Sequence, residues 1–88
     1  MIPHIFIVSG GKGLSADNVV RSLLVQFPDF KVPVSILSNI RTEEDCQNAV
    51  LKAKYNDGII VHTLVNKRIR VSLTSFCKEH EVVNFDLT

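Results

Sequence analysis

A chain of 88 residues, 45% hydrophobic and 22% charged, is one small domain with enough apolar material for a core. Its net charge of +1 lacks the strong bias expected of a nucleic-acid binder or an anionic-membrane binder. No apolar run approaches the roughly 20 residues of a membrane-spanning helix, and the start of the chain lacks a secretory-signal pattern.

Ile5-Phe6-Ile7-Val8 is apolar and β-branched, short enough for a buried strand. Gly10, Gly11 and Gly13 follow it. Ser15 occupies the expected N-cap of a first helix, ahead of Ala16, Val19, Val20, Leu23, Leu24 and Phe27. Those positions form one stripe on a 3.6-residue period. Pro28-Asp29 is expected to end this helix, with Phe27 and Phe30 closing the bottom of the core. Val32 to Leu37 reads as a second strand, and Pro33 near its start marks it as an edge strand.

Thr42 is the expected N-cap of a second helix, with Glu43, Glu44 and Asp45 in its first turn. Its apolar stripe is Cys46, Ala49, Val50 and Ala53, and Asn56-Asp57-Gly58 makes the turn out. Gly58 to Thr63 is a third strand, apolar throughout and therefore central. Asn66 caps a third helix that turns Ile69, Leu73, Phe76 and Cys77 inward, and Glu81 to Leu87 is a short fourth strand. Cys46 and Cys77 thus lie on apolar helix faces, as two buried thiols in a reducing compartment rather than a disulfide. Two separated cysteines and three scattered histidines make no metal-ligand spacing.

The order βαβαβαβ with short connections predicts a single α/β domain over residues 1–88. Its expected form is a three-layer, Rossmann- or flavodoxin-like half: a four-stranded parallel sheet in the order 2-1-3-4. The chain stops on its last strand, with no helix for the far side of the sheet. That side is expected to be completed by further polypeptide or by a partner, a second copy included.

In such sheets ligands bind at the carboxyl ends of the strands, where the strand order reverses. The loop after the first strand would bring Ser9, Gly10, Gly11, Lys12, Gly13 and Ser15 there; Arg41 and Thr63 would come from the loops after the second and third strands. Glycines let an anion reach free backbone N–H groups at a helix start, and the rim is cationic and rich in hydroxyls. Arg68 and Arg70 stand near a helix start, against the preference of the helix dipole, which fits a nearby anion or partner carboxylate. His62 reads as a structural strand-end residue, and His4 and His80 as surface residues.

Several chemistries lack their residues. Gly11 to Ala16 fits G-x-G-x-x-A, but the second strand ends in Ser38-Asn39 rather than in an acidic residue for the ribose of NAD. Ser38 with Arg41 would instead suit a 2′-phosphate, which keeps a small NADP-type module as an alternative, beside a non-enzymatic interaction domain. No segment supplies G-x-x-x-x-G-K-[ST], the acidic residues of a phospho-acceptor receiver are missing, and no nucleophile pairs with a base. The chain alone is not expected to be an enzyme.

Taken together, several motifs occur in a known order. The opening Ile5 to Pro28 resembles the start of the pyruvate,phosphate dikinase and phosphoenolpyruvate synthase regulatory proteins, which reads I-x-x-V-S-D-x-T-G-x-T-A-E. Arg41-Thr42 matches that family's R-T motif, and Thr63-Leu64-Val65 with Arg70 and Leu73 resembles its T-L-V-D-P-x-L-R-x-x-L segment. Phe76-Cys77 and Asp86-Leu87 fall in register as well. The resemblance spans the chain but only the N-terminal domain of the family.

It implies a bifunctional protein that uses ADP to phosphorylate, and so inactivate, a threonine of the dikinase or synthase. Inorganic phosphate reverses this, releasing pyrophosphate. The P-loop would belong to a C-terminal domain, and the part seen here would supply phosphate binding and target docking, with Arg70 a partner contact. No cofactor is implied within this chain itself; ADP and phosphate serve the full-length protein. A bacterial cytoplasm or a plastid stroma is the implied location. Gly10 stands where the family has aspartate, Lys12 where it has threonine, and Asn66-Lys67 where it has D-P. Losing the aspartate removes a candidate acid–base or metal-orienting group; gaining Lys12 favours anion binding.

Overall fold

The computed structural model describes residues 3–88. Four strands, β1 (Ile5–Val8), β2 (Val34–Leu37), β3 (Ile59–His62) and β4 (Asn84–Asp86), alternate with the helices α1 (Leu14–Leu24), α2 (Glu43–Tyr55) and α3 (Lys67–His80). The sheet is parallel throughout, in the order β2-β1-β3-β4, as expected. Ile5 pairs with Val34 on one side and Ile59 on the other, and Val8 with Leu37 and His62. The two interior strands are therefore β1 and β3, the third strand being central as expected, and all four residues of β1 are buried.

Alternation along β1 and β3 divides the core in two. Phe6, Val8 and Ile60 face α2 and α3, where Cys46, Ala49, Val50, Ala53, Leu73 and Cys77 complete the larger cluster. Ile5, Ile7 and Val61 face the other way, onto Ala16 and Val20 of α1. The expected apolar stripe of α2 is buried at every position. On the α1 side, β4 is left bare: Phe85 and Leu87 join Val20, Leu23 and Leu24 around an apolar cleft of about 290 Å³.

The structure departs from the sequence-based expectations at the first helix. α1 begins at Leu14, and its N-cap is Gly13, not Ser15, which sits within the first turn with no side-chain cap bond. Gly13 is left-handed at φ +75°, and a Cβ there would lie 2.8 Å from Cγ2 of Ile36. Backbone conformation and the closeness of β2 both require glycine at that position, so the chain turns into the helix there. α1 also ends at Leu24, ahead of Pro28, and Phe27 and Phe30 are 56% and 57% exposed rather than closing the core. Tight backbone turns after Leu24, among them Phe27 N–H to the Leu24 carbonyl at 2.9 Å, carry the chain away before those rings reach the sheet.

The strands are shorter than expected as well. The second begins at Val34, and the Pro33 carbonyl still accepts the Ile5 N–H at 2.9 Å. Glu81, expected in the last strand, is instead the left-handed C-cap of α3. Thr42 and Asn66 cap α2 and α3 as expected, accepting the N–H groups of Asp45 and Ile69.

Candidate functional site

The carboxyl ends of β1, β2 and β3 feed three loops that meet at the reversal of strand order. Backbone bonds lace the first two together. Ser9 N–H donates to the Leu37 carbonyl at 3.1 Å, Ile40 N–H to the Ser9 carbonyl at 3.0 Å, and Asn39 N–H to the Gly11 carbonyl at 2.9 Å. Thr63 N–H reaches the Val8 carbonyl at 3.0 Å and ties in the third loop.

Side chains tighten this frame. Buried Ser9 accepts the Gly11 N–H through Oγ at 3.1 Å, which curls the glycine loop over its own strand end. Arg41 crosses between loops, its Nε donating to the Gly10 carbonyl at 3.1 Å and its Nη2 to Asn39 Oδ1 at 3.5 Å. Asp45 takes the N–H groups of Arg41 and Thr42, at 3.0 and 3.1 Å, while the Thr42 hydroxyl accepts the Asp45 N–H. The Arg41 N–H, then the Thr42 side chain, hold the Asp45 carboxyl below its ordinary range.

These loops enclose a cavity of about 460 Å³. Ser9, Gly10 and Gly11 form one wall, Ile40 and Arg41 another, and Thr63 with Leu64, Val65, Asn66 and Ile69 the third. A second hollow of about 320 Å³ shares Ser9 and Thr63 with it and lies over the start of α1, against Lys12, Gly13 and Ser15. The predicted phosphate-site residues Ser9, Gly10, Gly11, Lys12, Gly13, Ser15, Arg41 and Thr63 thus gather at one edge of the sheet. The first turn of α1 faces that hollow without the side-chain cap that α2 and α3 possess.

Other residues lie apart from it. Arg70 is half-buried and donates from Nη1 to the Leu64 carbonyl at 3.1 Å, bracing the third loop from behind. His62 is 1% exposed and lines neither hollow. Its Nε2 lies 3.4 Å from Asn84 Oδ1, and its Nδ1 has no hydrogen-bond partner among the described residues. Asp86 approaches that ring at 3.9 Å. Its carboxyl is held low by hydrogen bonds from Thr88, with His62 and Arg70 adding to the effect.

The apolar wall of Ile40, Leu64, Val65 and Ile69 was missing from the sequence-based site, and only the strand order could have indicated it. Among the described residues no group of His, Cys, Asp or Glu could hold a metal ion, and no helix is long and apolar enough to cross a membrane. Cation, hydroxyls and open backbone equip this edge to hold an anion.

The family model described as kinase/pyrophosphorylase matches residues 5–88. A protein of Desulfotalea psychrophila, provisionally named a pyruvate, phosphate dikinase regulatory protein, is 37% identical over 83 residues, covering 94% of this chain and 29% of that protein. One of Chloroflexus aurantiacus with the same provisional name is 35% identical over 85 residues, 97% of this chain and 30% of its own length. A third, of Trichlorobacter lovleyi, is 31% identical over 83 residues, 94% of this chain and 31% of its own length. The chain therefore spans somewhat less than a third of these curated relatives.

Proposed function

Because this chain belongs to the kinase/pyrophosphorylase family, we propose that it is the phosphate-holding and target-docking part of a regulator of pyruvate, phosphate dikinase or phosphoenolpyruvate synthase. In the complete protein that regulator transfers a phosphoryl group from ADP to a threonine of its target and removes it again with inorganic phosphate. The P-loop for that transfer lies in polypeptide other than this chain, which has no such motif. On this reading the activity belongs to a bacterial cytoplasm or a plastid stroma.

One observation carries the proposal: the glycine loop, Arg41 and Thr63 converge at the switch point of the sheet on two adjoining hollows that share Ser9 and Thr63. Phosphate oxygens are taken by the first-turn N–H groups of α1, by Lys12 and by the hydroxyls of Ser15 and Thr63. Arg41 has a double part, holding the Gly10 carbonyl in place and adding positive charge to the rim. No residue at this edge acts as nucleophile or base, so the contribution is binding and orientation.

Backbone NMR titration of the 88-residue chain with inorganic phosphate, and separately with ADP, tests this. The amides of Gly11, Gly13 and Ser15 should shift in a saturable way at millimolar ligand. Unmoved glycine amides would remove the phosphate-binding role from this chain. A parallel titration with NADPH, if tighter by orders of magnitude, would transfer the site to a dinucleotide.

A further inference from the structure

α3 opens with Lys67, Arg68 and Arg70 and has no acidic residue in its first turn, an arrangement its dipole opposes. Arg70 is explained within the fold by its bond to the Leu64 carbonyl. Arg68 is not: it is exposed and makes no hydrogen bond or ion pair among the described residues. It lines a groove of about 440 Å³ between the starts of α2 and α3, opposite Arg41, Thr42 and Glu43. This groove shares Arg41, Asn66 and Ile69 with the switch-point cavity, so the two run together.

The geometry points to this groove as a docking site for an acidic peptide segment, with one carboxylate side chain between Arg41 and Arg68. This rests on the docking part of the function proposed above. One amide at each helix start, that of Asp45 and that of Ile69, is taken by the cap side chains of Thr42 and Asn66, and the guanidinium groups of Arg41 and Arg68 supply the charge that holds a carboxylate between them. Arg41 spends Nε and Nη2 on the glycine loop and its neighbour, and its Nη1 makes no hydrogen bond among the described residues.

Glu43 selects the anion. Its carboxylate lines the same groove and accepts from the Ser72 hydroxyl at 3.4 Å, so among the side chains lining the groove two arginines face one glutamate, a balance of one positive charge. That balance suits one carboxylate better than a phosphate dianion. Val65, 83% exposed on the wall of the adjoining cavity, gives the next residue of the segment an apolar contact, which a free ion would not use. A segment lying along both hollows would lead from the carboxylate site toward the glycine loop.

Fluorescence anisotropy at low salt tests the inference on the 88-residue chain. The probe is a labelled peptide of alternating alanine and aspartate around a central threonine, compared with its asparagine counterpart. The aspartate peptide should bind about tenfold tighter, and Arg68→Glu should weaken it about tenfold. Glu43→Gln, which keeps the Ser72 contact, should tighten it about threefold. The phosphate-induced shift of the Gly11 amide should be the same in Arg68→Glu as in the parent chain.

Equal binding of the two peptides, or an indifferent Arg68→Glu, overturns the assignment. So does inorganic phosphate that shifts the Arg68 amide and binds as tightly as the peptide. If phosphate leaves the glycine loop unmoved while the peptides behave as expected, the phosphate reading fails and the acidic-peptide groove stands. If phosphate moves the loop and the peptides do not discriminate, the reverse holds.

Discussion

Two glycines of the same loop serve different ends. Gly13 is demanded by the fold, because its φ is +75° and Ile36 stands where a Cβ would be. Gly11 is not: an added Cβ would meet nothing within 4 Å, and its φ is not positive. Gly13→Ala should cost about 1–3 kcal/mol, read from urea unfolding. Gly11→Ala should leave the unfolding midpoint in place yet weaken phosphate binding, because its methyl group enters the cavity wall. An equal loss of stability in both variants would deny Gly11 a ligand role separate from folding. The cluster was visible in the sequence, but the difference between its members depends on Ile36, more than twenty residues away.

At the scale of elements, helix starts were readable wherever the capping chemistry was local. Thr42 and Asp45 form a reciprocal capping box within three residues. Thr42→Ala should cost about 1 kcal/mol, measured by denaturant unfolding at neutral pH. Asp45 has a folded-state pKa below its unfolded value, so its stabilising effect is present above the ordinary carboxylate range. That effect fades as pH falls through the lowered value. Asp45→Asn should therefore flatten the loss of stability between about pH 5 and 2 seen in the parent chain. An unchanged acid limb would show that other carboxyls dominate. The start of α1 was misplaced from sequence because its cap is a backbone conformation imposed by β2, not a side chain with a recognisable spacing.

Across the whole molecule, α2 and α3 bury one face of the sheet and α1 covers only part of the other. Cys46 and Cys77 lie fully buried in the larger core, and burial is the main cause that pushes both thiols up to about 11. Neutral thiols favour the folded state, so this contribution holds below the unfolded-state value and is lost as pH rises toward about 11. The native chain should react slowly with a thiol reagent at pH 8, and both cysteines should react at once in urea. Rapid labelling of the native chain would mean that the helix pair opens far more readily than its packing implies. The face of the sheet under α1 was read less well: Phe27 fits the helical stripe and Phe30 was expected beside it at the bottom of the core, yet the chain has left the helix before both, and both rings are exposed.

By itself the sequence determined the alternation of strands and helices, the parallel order β2-β1-β3-β4, the edge position of β2, two of the three helix caps and the loops that meet at the switch point. Those features follow from periodicity, turn chemistry and the handedness of crossovers, all of which act over short stretches. Only the tertiary structure decided that Gly13 starts α1, that Arg41 latches the Gly10 carbonyl, that Arg70 braces a loop while Arg68 has no partner among the described residues, and that Glu43 shares a groove with Arg41 and Arg68. Each of these depends on side chains and backbone brought together from distant parts of the chain, where packing and hydrogen-bond geometry, not local pattern, set the outcome.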